Sequence, residues 1–470
     1  MSRRTSAGSI FWGLTLVAIG ALLLARNLGY SVPIWGAIAR YWPVLIIVWG
    51  LLKLVDYVRM RNDEQKRPLF SGGEVALLIL IIFIGSAITV TANINPDIGS
   101  IFDIDGNFDI WDIAGNSYHF TEHQELDATA GATIRIFNVY GSVDVKPADV
   151  DRITVDVEKT VRATDQTEAD RRAKDFTFAI MNDGGMYRIV SSLDEARTRA
   201  ERDWTPEIRL GNDRQRFKSN LTIRVPRKAN LDIRNRYGAV SVDGFEGNQV
   251  ISNRNGSTSI NHITGGVTVT TGYASAVLES VSGDVTITNS YASTTLRTIG
   301  GKVTVNNKYG HVDVQDVKGD ASIENRYSAV NAERIGGNLK IDGRNNSVDI
   351  DQVNGSLEVE TSYKTLSVRN AKGTMTLSNR HGDVDIELDE QPRNDITVNA
   401  QYSDVTIEMP GNATFQFDGR TRYGNVDSSF DAISVNSSGR ERTARGQQGQ
   451  GGPRISVETD HGNIRLEKRG

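Results

Sequence analysis

The chain has 470 residues, of which 39% are hydrophobic and 24% are charged, so a fully disordered chain is excluded. It contains no cysteine, which excludes disulfides, cysteine-ligated zinc, iron–sulfur clusters and thiol nucleophiles. Residues 1–92 carry a net charge of +5 and the remainder −10, so no nucleic-acid partner is expected, because phosphate binding needs concentrated positive charge in the body.

Three apolar runs near 10–28, 42–58 and 75–92 open the chain. About 20 helical residues cross a bilayer core, so residues 1–92 are predicted to form a three-helix transmembrane region. Lys and Arg before the first run and between the second and third place the N-terminus in the cytoplasm. Three crossings, or a non-spanning hairpin followed by one crossing, then leave the body extracytoplasmic, beyond a linker at 93–117.

An 18-residue repeat dominates the body. Its clearest position, here called the slot, is occupied by Tyr237, Asn255, Tyr273, Tyr291, Tyr309, Tyr327, Asn345, Tyr363 and His381. Apolar residues recur three, five, eight, twelve and fourteen positions after the slot, so each repeat holds two short strands with one apolar face. A single repeat cannot bury that face, but stacked repeats can. The predicted fold is an all-β body, a β-solenoid with 18-residue coils and two short strands per coil, behind the three-helix anchor.

Less regular segments flank the repeat. An early copy of the coil occurs at Tyr140-Gly141, and Thr167 is predicted to cap a short helix. The expected organisation is a β-rich capping region at 118–235 with the helix near 167–176, the solenoid at 236–430, a flexible Gly/Gln-rich loop at 431–453, and terminal strands at 454–470.

Two further columns accompany the slot. Glycines ten residues after it are expected at corners where the backbone needs positive φ. Asparagines two residues before it are expected to stack as a ladder; they are Asn235, Asn253, Asn289, Asn307, Asn325 and Asn379. The slot tyrosines are interpreted as a packed corner of the coil rather than as a platform for a ligand.

Parts of the chain resemble two known families. The stretches 13–29 and 41–51, which include Tyr-Trp-Pro-Val-Leu, resemble the LiaI/LiaF-type transmembrane region. From about Tyr118, the chain resembles the bacterial "putative adhesin", toastrack-like β-solenoid family, through Val139–Val145, Arg224–Pro226 and the repeated Tyr/Asn-Gly-x-Val-x-Val coils. The resemblance implies a cell-envelope protein, sometimes tied to membrane-stress signalling, and it brings no catalytic residues.

The motif His-Phe-Thr-Glu-His begins at His119 and matches the inverted zincin pattern. On a buried helix, His119 and His123 could hold zinc with Glu122 as the base. A third ligand could come from Glu195 or Glu201. Because the surrounding sequence is β-rich, an exposed strand or turn is the favoured interpretation. The alternative function is an envelope hydrolase, either a zinc peptidase at this motif or a glycan-active solenoid.

A glycan-active solenoid needs carboxylates that converge on one face. The candidates are the pairs Asp313/Asp316, Asp349/Asp351 and Asp383/Asp385. They lie close to inward apolar residues and are expected to point outward as solvated charges. Calcium-binding nonapeptide coils are not favoured, since the aspartates do not recur in phase. No catalytic residue, metal or cofactor is therefore expected.

A column of basic residues lies one position before the slot. This basic stripe, a candidate site for an anionic ligand, consists of Arg236, Arg254, Lys308, Arg326, Arg344 and Arg380. When stacked, it could meet an anionic envelope polymer or lipid headgroups. Salt bridges are the favoured alternative, with the acids Asp243, Glu279, Glu333 and Asp351.

These features predict a non-enzymatic, membrane-anchored cell-envelope protein. Its solenoid would serve as an adhesion or scaffold surface, or as an envelope-stress-sensing accessory. The expected partner is the lipid bilayer, with an envelope polymer or a membrane signalling protein as candidates.

Overall fold

The computed structural model of the chain describes residues 116–192 and 217–469. The three predicted membrane spans and most of the predicted linker lie outside these residues. Within the two described ranges, no helix is both long and apolar enough to cross a bilayer.

The described residues form many short strands and a ten-residue helix, α1, over Gln166–Asp175. The strands are β1 (Asn116–Asp127), β2 (Thr133–Tyr140), β3 (Val143–Ala148), β4 (Arg152–Ala163), β5 (Phe178–Asp183), β6 (Met186–Ser191), β7 (Phe217–Pro226), β8 (Asn230–Tyr237), β9 (Val240–Asp243), β10 (Gln249–Asn255), β11 (Thr258–Ile263), β12 (Val267–Thr271), β13 (Ala276–Val281), β14 (Val285–Asn289), β15 (Thr294–Ile299), β16 (Val303–Asn307), β17 (Val312–Val317), β18 (Ala321–Asn325), β19 (Val330–Ile335), β20 (Leu339–Gly343), β21 (Val348–Val353), β22 (Leu357–Ser362), β23 (Leu366–Arg369), β24 (Met375–Arg380), β25 (Val384–Glu387), β26 (Ile396–Gln401), β27 (Val405–Pro410), β28 (Phe415–Thr421), β29 (Val426–Ser428), β30 (Ile433–Ser438), β31 (Glu441–Gln448), β32 (Arg454–Thr459) and β33 (Ile464–Arg469).

Two long parallel sheets are built from the repeats. The odd-numbered strands from β9 to β27 form one sheet in sequence order. The even-numbered strands from β8 to β26 form the other. Over the regular coils each strand pairs with the strand 18 residues later, as Leu278 with Leu296 and Val285 with Val303. The all-β solenoid with 18-residue coils is confirmed by this register.

The interior of the coils is aliphatic. On neighbouring coils Val285, Ile287, Val303 and Val305 are each at most 1% exposed. The strand residues between them face outward, since side chains alternate along a strand. About five inward side chains per coil, each contributing roughly 1.5–3 kcal/mol, provide the drive for stacking.

The predicted asparagine ladder is present, and it holds one corner of each coil together. Every member is buried, and each Nδ2 donates a hydrogen bond to the backbone carbonyl three residues later, at 2.6–2.8 Å. In the central coils, Asn307 binds the carbonyl of Gly310 in this way. The ladder therefore satisfies carbonyl groups that the turn would otherwise leave buried without a donor.

Substituting Asn307 by alanine is expected to destabilise its corner by about 1–3 kcal/mol, because the Gly310 carbonyl loses its donor. Hydrogen exchange of the backbone amides of the flanking coils measures this loss. Asn306 is the matched control, since it is exposed on the same strand and its Asn306→Ala variant should exchange like the wild type. Equal exchange in the two variants would contradict a structural role for the ladder.

Most glycines of the column ten residues after the slot do not adopt the predicted positive φ. Among the glycines ten residues after the slot, positive φ occurs at Gly247 and Gly265 but not at Gly283 or the later ones. Glycine is needed at these positions because the backbones of successive coils approach each other closely there. A Cβ on Gly355 would lie 2.5 Å from the carbonyl oxygen of Gly337 in the preceding coil.

Positive φ occurs instead at the column seven residues after the slot, and at the slot itself in Asn345, Tyr363, His381 and Tyr402. In the column seven residues after the slot, the residues are not glycine except at Gly244, and each lies in the left-handed region; they are His262, Ser280, Thr298, Asp316, Arg334, Gln352 and Asn370. Most non-glycine residues avoid this region, and β-branched residues such as Thr298 avoid it most strongly. The second corner of each coil from the one at Tyr237 to the one at Tyr363 thus carries a strained backbone position that the sequence pattern does not reveal.

The stacking starts before the regular repeats. β2 and β3 pair in parallel with β8 and β9, and Tyr140 lies in register with Tyr237. The early copy of the coil predicted at Tyr140-Gly141 is confirmed by this pairing. From β3 the first sheet continues through β7, β4 and β1. From β2 the second sheet continues through β6 to the antiparallel β5.

The helix α1 is capped by Asp165 and not by Thr167. The Asp165 carboxylate accepts a hydrogen bond from the backbone N–H of Glu168 at 2.9 Å. In return, the Glu168 carboxylate accepts bonds from the backbone N–H and the hydroxyl of Thr164, at 3.0 and 2.7 Å. Asp is the better cap, because its negative charge also interacts favourably with the positive end of the helix dipole.

The segment 431–453, predicted as a flexible loop, is largely a β-hairpin. β30 and β31 pair antiparallel around Gly439, and β31 also pairs antiparallel with β28. Ala444 is fully buried, so the hairpin covers an edge that parallel coils would leave open. The sequence does not predict β31, because this Gly/Gln-rich stretch lacks the regular alternation of apolar and polar residues that indicates a strand.

The last strands do not stack in sequence order. β24 and β25 pair with β26 and β27 at an offset of 21 residues. β32 and β33 then lie between the coil of β26 and β27 and the coil of β28 and β29. The C-terminal coil is thus held on both sides by strands that precede it in the chain.

Candidate functional site

The slot tyrosines form an exposed ladder of stacked rings. The centroids of Tyr273, Tyr291, Tyr309 and Tyr327 are 4.9, 5.1 and 4.9 Å apart, and successive rings lie within 10° of parallel. These four rings, here called the tyrosine ladder, are 42–51% exposed. The slot residues therefore pack against one another as expected, but at an exposed corner rather than a buried one. The rings pack against one another and leave their edges and hydroxyls in solvent.

A second aromatic ladder follows on the same column after Asn345. In stacking order it consists of Tyr363, His381, Tyr402, His461 and Tyr423, with centroid distances of 4.4–5.1 Å. His461 stands before Tyr423 because β32 and β33 lie between the neighbouring coils. His461 thus continues the column of rings, although the order of repeats along the sequence does not predict it at this position.

The two ladders are separated by a changed corner at Asn345. Here Gly343 replaces the inner asparagine, and the buried Asn346 occupies that space from the other side of the turn. Asn346 donates to the carbonyl of Asn325 at 3.1 Å and accepts from the Thr361 hydroxyl at 2.9 Å. Asn345 itself stays exposed and carries no ring, so the stack of rings is interrupted at this coil.

The basic stripe runs along the tyrosine ladder, as the spacing predicted. Arg236 and Arg254 are half-buried, and the other four members are exposed. The Arg236 guanidinium lies 5.2 Å from the ring centre of Tyr237, and Nζ of Lys308 lies 5.3 Å from that of Tyr309. Cations at these distances are attracted to the ring faces.

The stripe is largely free of acidic partners. Within the described residues its one ion pair joins Arg326 to Glu324 at 3.2 Å. The acids expected to neutralise it act elsewhere: Asp243 contacts His262 at 2.8 Å, and Glu333 pairs with Arg334. The predicted salt bridges are wrong, because these acids project from the sheet face while the stripe lies on the corner.

The stripe is densest over three consecutive coils. Lys308, Arg326 and Arg344 follow one another at single-coil intervals, whereas Gly272, Ser290 and Ser362 interrupt the column elsewhere. Strands in a sheet are about 4.8 Å apart, so the three cations span about 10 Å beside the end of the tyrosine ladder. This basic and aromatic corner is the candidate binding site.

The zincin motif does not form a metal site. It lies on β1, a strand, with His119 and His123 on the exposed face and Glu122 on the other. Four strand residues span about 13 Å, so the two histidines cannot share one ion. Glu122 pairs instead with the buried Lys159, and His123 contacts Asp156 at 2.7 Å. Glu195 and Glu201 lie outside the described residues.

Three of the six candidate carboxylates, Asp313, Asp316 and Asp349, form ion pairs with arginines. Asp313, expected to be solvated, is 9% exposed and contacts Arg297, Gln315 and Asn331. Arg369 contacts Asp349 at 3.0 Å in the neighbouring coil. These contacts form the cross-coil networks that the sequence did not predict.

One carboxyl of this set has an altered affinity for protons. Burial raises the pKa of Asp385, and the nearby Asp383 and Glu387 raise it further. Asp385 lies on β25 and points outward from a flat sheet. A glycan bound there could not be enclosed between two opposed carboxyls.

Comparisons with known proteins match both parts of the chain. A family model described as the LiaF transmembrane domain matches residues 11–104, and one described as Toastrack DUF4097 matches residues 301–467. The N-terminal part of the chain is therefore similar to LiaF transmembrane domains, and the second half of its body is similar to the Toastrack family. The match to the LiaF transmembrane domain indicates membrane association, and the Toastrack family is of a non-catalytic kind.

Two solved structures are similar at low identity. A Clostridium sporogenes protein described as a "putative cell adhesion protein" is 10% identical, with 75% of this chain and 100% of that chain covered and a TM-score of 0.19. A Parabacteroides distasonis "putative lipid binding protein" is 11% identical, with 74% and 97% covered and a TM-score of 0.18. Scores this low support no inference about function. No curated protein matches the chain.

Proposed function

We propose that this LiaF–Toastrack protein is a non-enzymatic binding component of the cell envelope. Three N-terminal helices would anchor it, with the N-terminus in the cytoplasm and the solenoid outside. The solenoid would bind an anionic envelope polymer along its basic and aromatic corner, and so act as an adhesion or scaffold surface.

The observation that carries the proposal is the pairing of two columns on one corner. Within the described ranges five of the six residues of the basic stripe form no ion pair, and the stripe borders rings that are about half exposed. Unpaired cations in a row attract a linear polyanion, and the tyrosine hydroxyls can donate hydrogen bonds to it. A linear polymer matches a line of sites that repeats along the coils.

The test uses the full-length protein in detergent micelles and a polyglycerol-phosphate teichoic acid as probe. The triple variant Lys308→Gln, Arg326→Gln, Arg344→Gln is expected to bind at least about tenfold more weakly, because three charged contacts are removed. The control is Lys174→Gln, Lys218→Gln, Lys302→Gln, which changes the net charge equally at exposed residues away from the corner. Co-sedimentation at two salt concentrations measures both.

Equal losses in the two triple variants would mean that net charge, and not the corner, drives binding, and the proposal would fail. Binding by the wild type to anionic phosphatidylglycerol vesicles, without binding to the polymer, would also contradict it. The salt dependence should be shallower in the corner variant than in the control.

The LiaF domain favours a second function, that of an accessory to envelope-stress sensing through a membrane signalling protein. Crosslinking in intact cells, followed by pull-down of the full-length protein, separates the two. A sensor kinase recovered from the crosslinked material supports sensing, whereas polymer recovered from it supports the scaffold.

A further inference from the structure

A groove of about 620 Å³ lies on the opposite corner of the coils, where the left-handed backbone column runs. Volumes of this size are typical of small-molecule sites. Its floor includes Val317, Ala371 and Leu388, which are all buried. Thr298, Gln352 and Asn354 are among the polar residues of its walls.

The groove exists because the repeat is interrupted. The interval from His381 to the next slot, Tyr402, is 21 residues instead of 18, and the additional residues lengthen the loop at 389–395. This loop forms one end of the groove, and its Pro392 is buried. Asn394 fixes the loop by donating to the carbonyl of Lys372 at 2.8 Å.

Most charges in the groove are already paired. Arg334 donates two hydrogen bonds to Asp316, at 2.5 and 3.0 Å, which lower the pKa of that carboxyl and keep it ionised. Arg469 binds Asp389 at 2.9 Å, and Arg393 lies 3.6 Å from Glu390. These acids are therefore neutralised by fixed cations and do not repel an anionic ligand strongly.

Four groups in the groove retain unused hydrogen-bonding capacity. Lys318 and Lys372 have no ion pair within the described ranges, and the side-chain amides of Gln352 and Asn354 have no hydrogen bond there. The two lysines occupy equivalent positions three coils apart, a separation of about 14 Å. The amides lie between them, so cationic groups stand at both ends of a neutral polar centre.

The backbone of the same wall is strained. Thr298, Asp316, Arg334, Gln352 and Asn370 all line the groove and all have φ between 54° and 59°. Strained positions often occur where side chains are held for binding. Here the left-handed turn is repeated in each coil, which aligns successive side chains along one wall.

We propose that this groove binds a short acidic saccharide. Its carboxylates would pair with Lys318 and Lys372, and its hydroxyl or amido groups would bond to Gln352 and Asn354. Its C–H faces would lie on the apolar floor. The site is separate from the basic and aromatic corner, and it does not depend on the polymer binding proposed there.

The probe is trigalacturonate, titrated calorimetrically into the full-length protein in detergent micelles. The double variant Lys318→Gln, Lys372→Gln is expected to bind at least about tenfold more weakly than the wild type, because two charged contacts are removed. The control Lys218→Gln, Lys302→Gln removes the same charge from exposed positions outside the groove and should bind like the wild type. Neutral trigalactose should bind more weakly than trigalacturonate.

A crossed comparison separates this proposal from the one for the basic stripe. The triple variant of Lys308, Arg326 and Arg344 should keep trigalacturonate binding, and the groove double variant should keep teichoic-acid binding. Loss of trigalacturonate in the stripe variant alone would overturn the groove proposal, as would the absence of saturable wild-type binding at millimolar concentrations. Equal binding of trigalactose would overturn the acidic ligand class.

Discussion

Replacement of Val303 by aspartate is expected to unfold several coils of the solenoid. Val303 is fully buried and lies in register between Val285 and Ala321 on the neighbouring coils. A carboxylate there would be buried within the aliphatic core, so it is expected to cost about 4–5 kcal/mol. Because each coil is stable only against its neighbours, the loss extends to the coils on both sides.

The matched control for this variant is the next residue on the same strand. Thr304 faces outward, and its Thr304→Asp variant should change stability by less than about 0.5 kcal/mol, since the new charge stays hydrated. Thermal melting followed by circular dichroism compares the variants, and hydrogen exchange locates the coils that open. Wild-type melting of the Val303 variant would contradict the inward assignment of this column.

The sequence predicts the coil well because the interior repeats. Inward residues such as Leu278 and Leu296 must recur at equal spacing, since each lies directly above the other in a ladder. Burial therefore imposes a pattern that one sequence displays without any alignment. The asparagine ladder can be predicted for the same reason, because every member donates the same hydrogen bond at the same turn.

The corners are harder to predict than the strands. Within a strand, alternation decides which side chains face inward, but a turn breaks that alternation, so the slot tyrosines could have pointed either way. They point outward and stack, as between Tyr291 and Tyr309. Likewise, the left-handed turn at Thr298 involves a residue type that rarely adopts it, and no composition rule places it there.

Departures from the repeat have consequences that the linear pattern hides. The 21-residue interval after His381 is visible in the sequence, but the groove that its loop closes is not, since that depends on how the loop at 389–395 folds over the preceding coil, where Asn394 bonds to the carbonyl of Lys372. The position of His461 between Tyr402 and Tyr423 is equally hidden. It results from strand insertion, which brings distant segments into one ladder.

Replacement of Gly355 by alanine is expected to destabilise the stack by about 1–3 kcal/mol, as overpacking of a close contact does. The new Cβ would lie 2.5 Å from the carbonyl oxygen and 2.6 Å from the carbonyl carbon of Gly337. Both atoms belong to the backbone, so no side-chain rotation can relieve the contact, and the two coils must separate locally. The amides of β20 and β22 should then exchange faster with solvent.

The control for this substitution is Gly411, where φ is not positive and a Cβ would meet only the flexible side chain of Lys468, at 3.7 Å or more. Its Gly411→Ala variant should keep wild-type stability and exchange. If both variants behave alike, close backbone approach is not what the glycine column provides. If only the Gly355 variant opens the coils, the distance between successive coils is set by backbone contact at this corner as well as by the aliphatic interior.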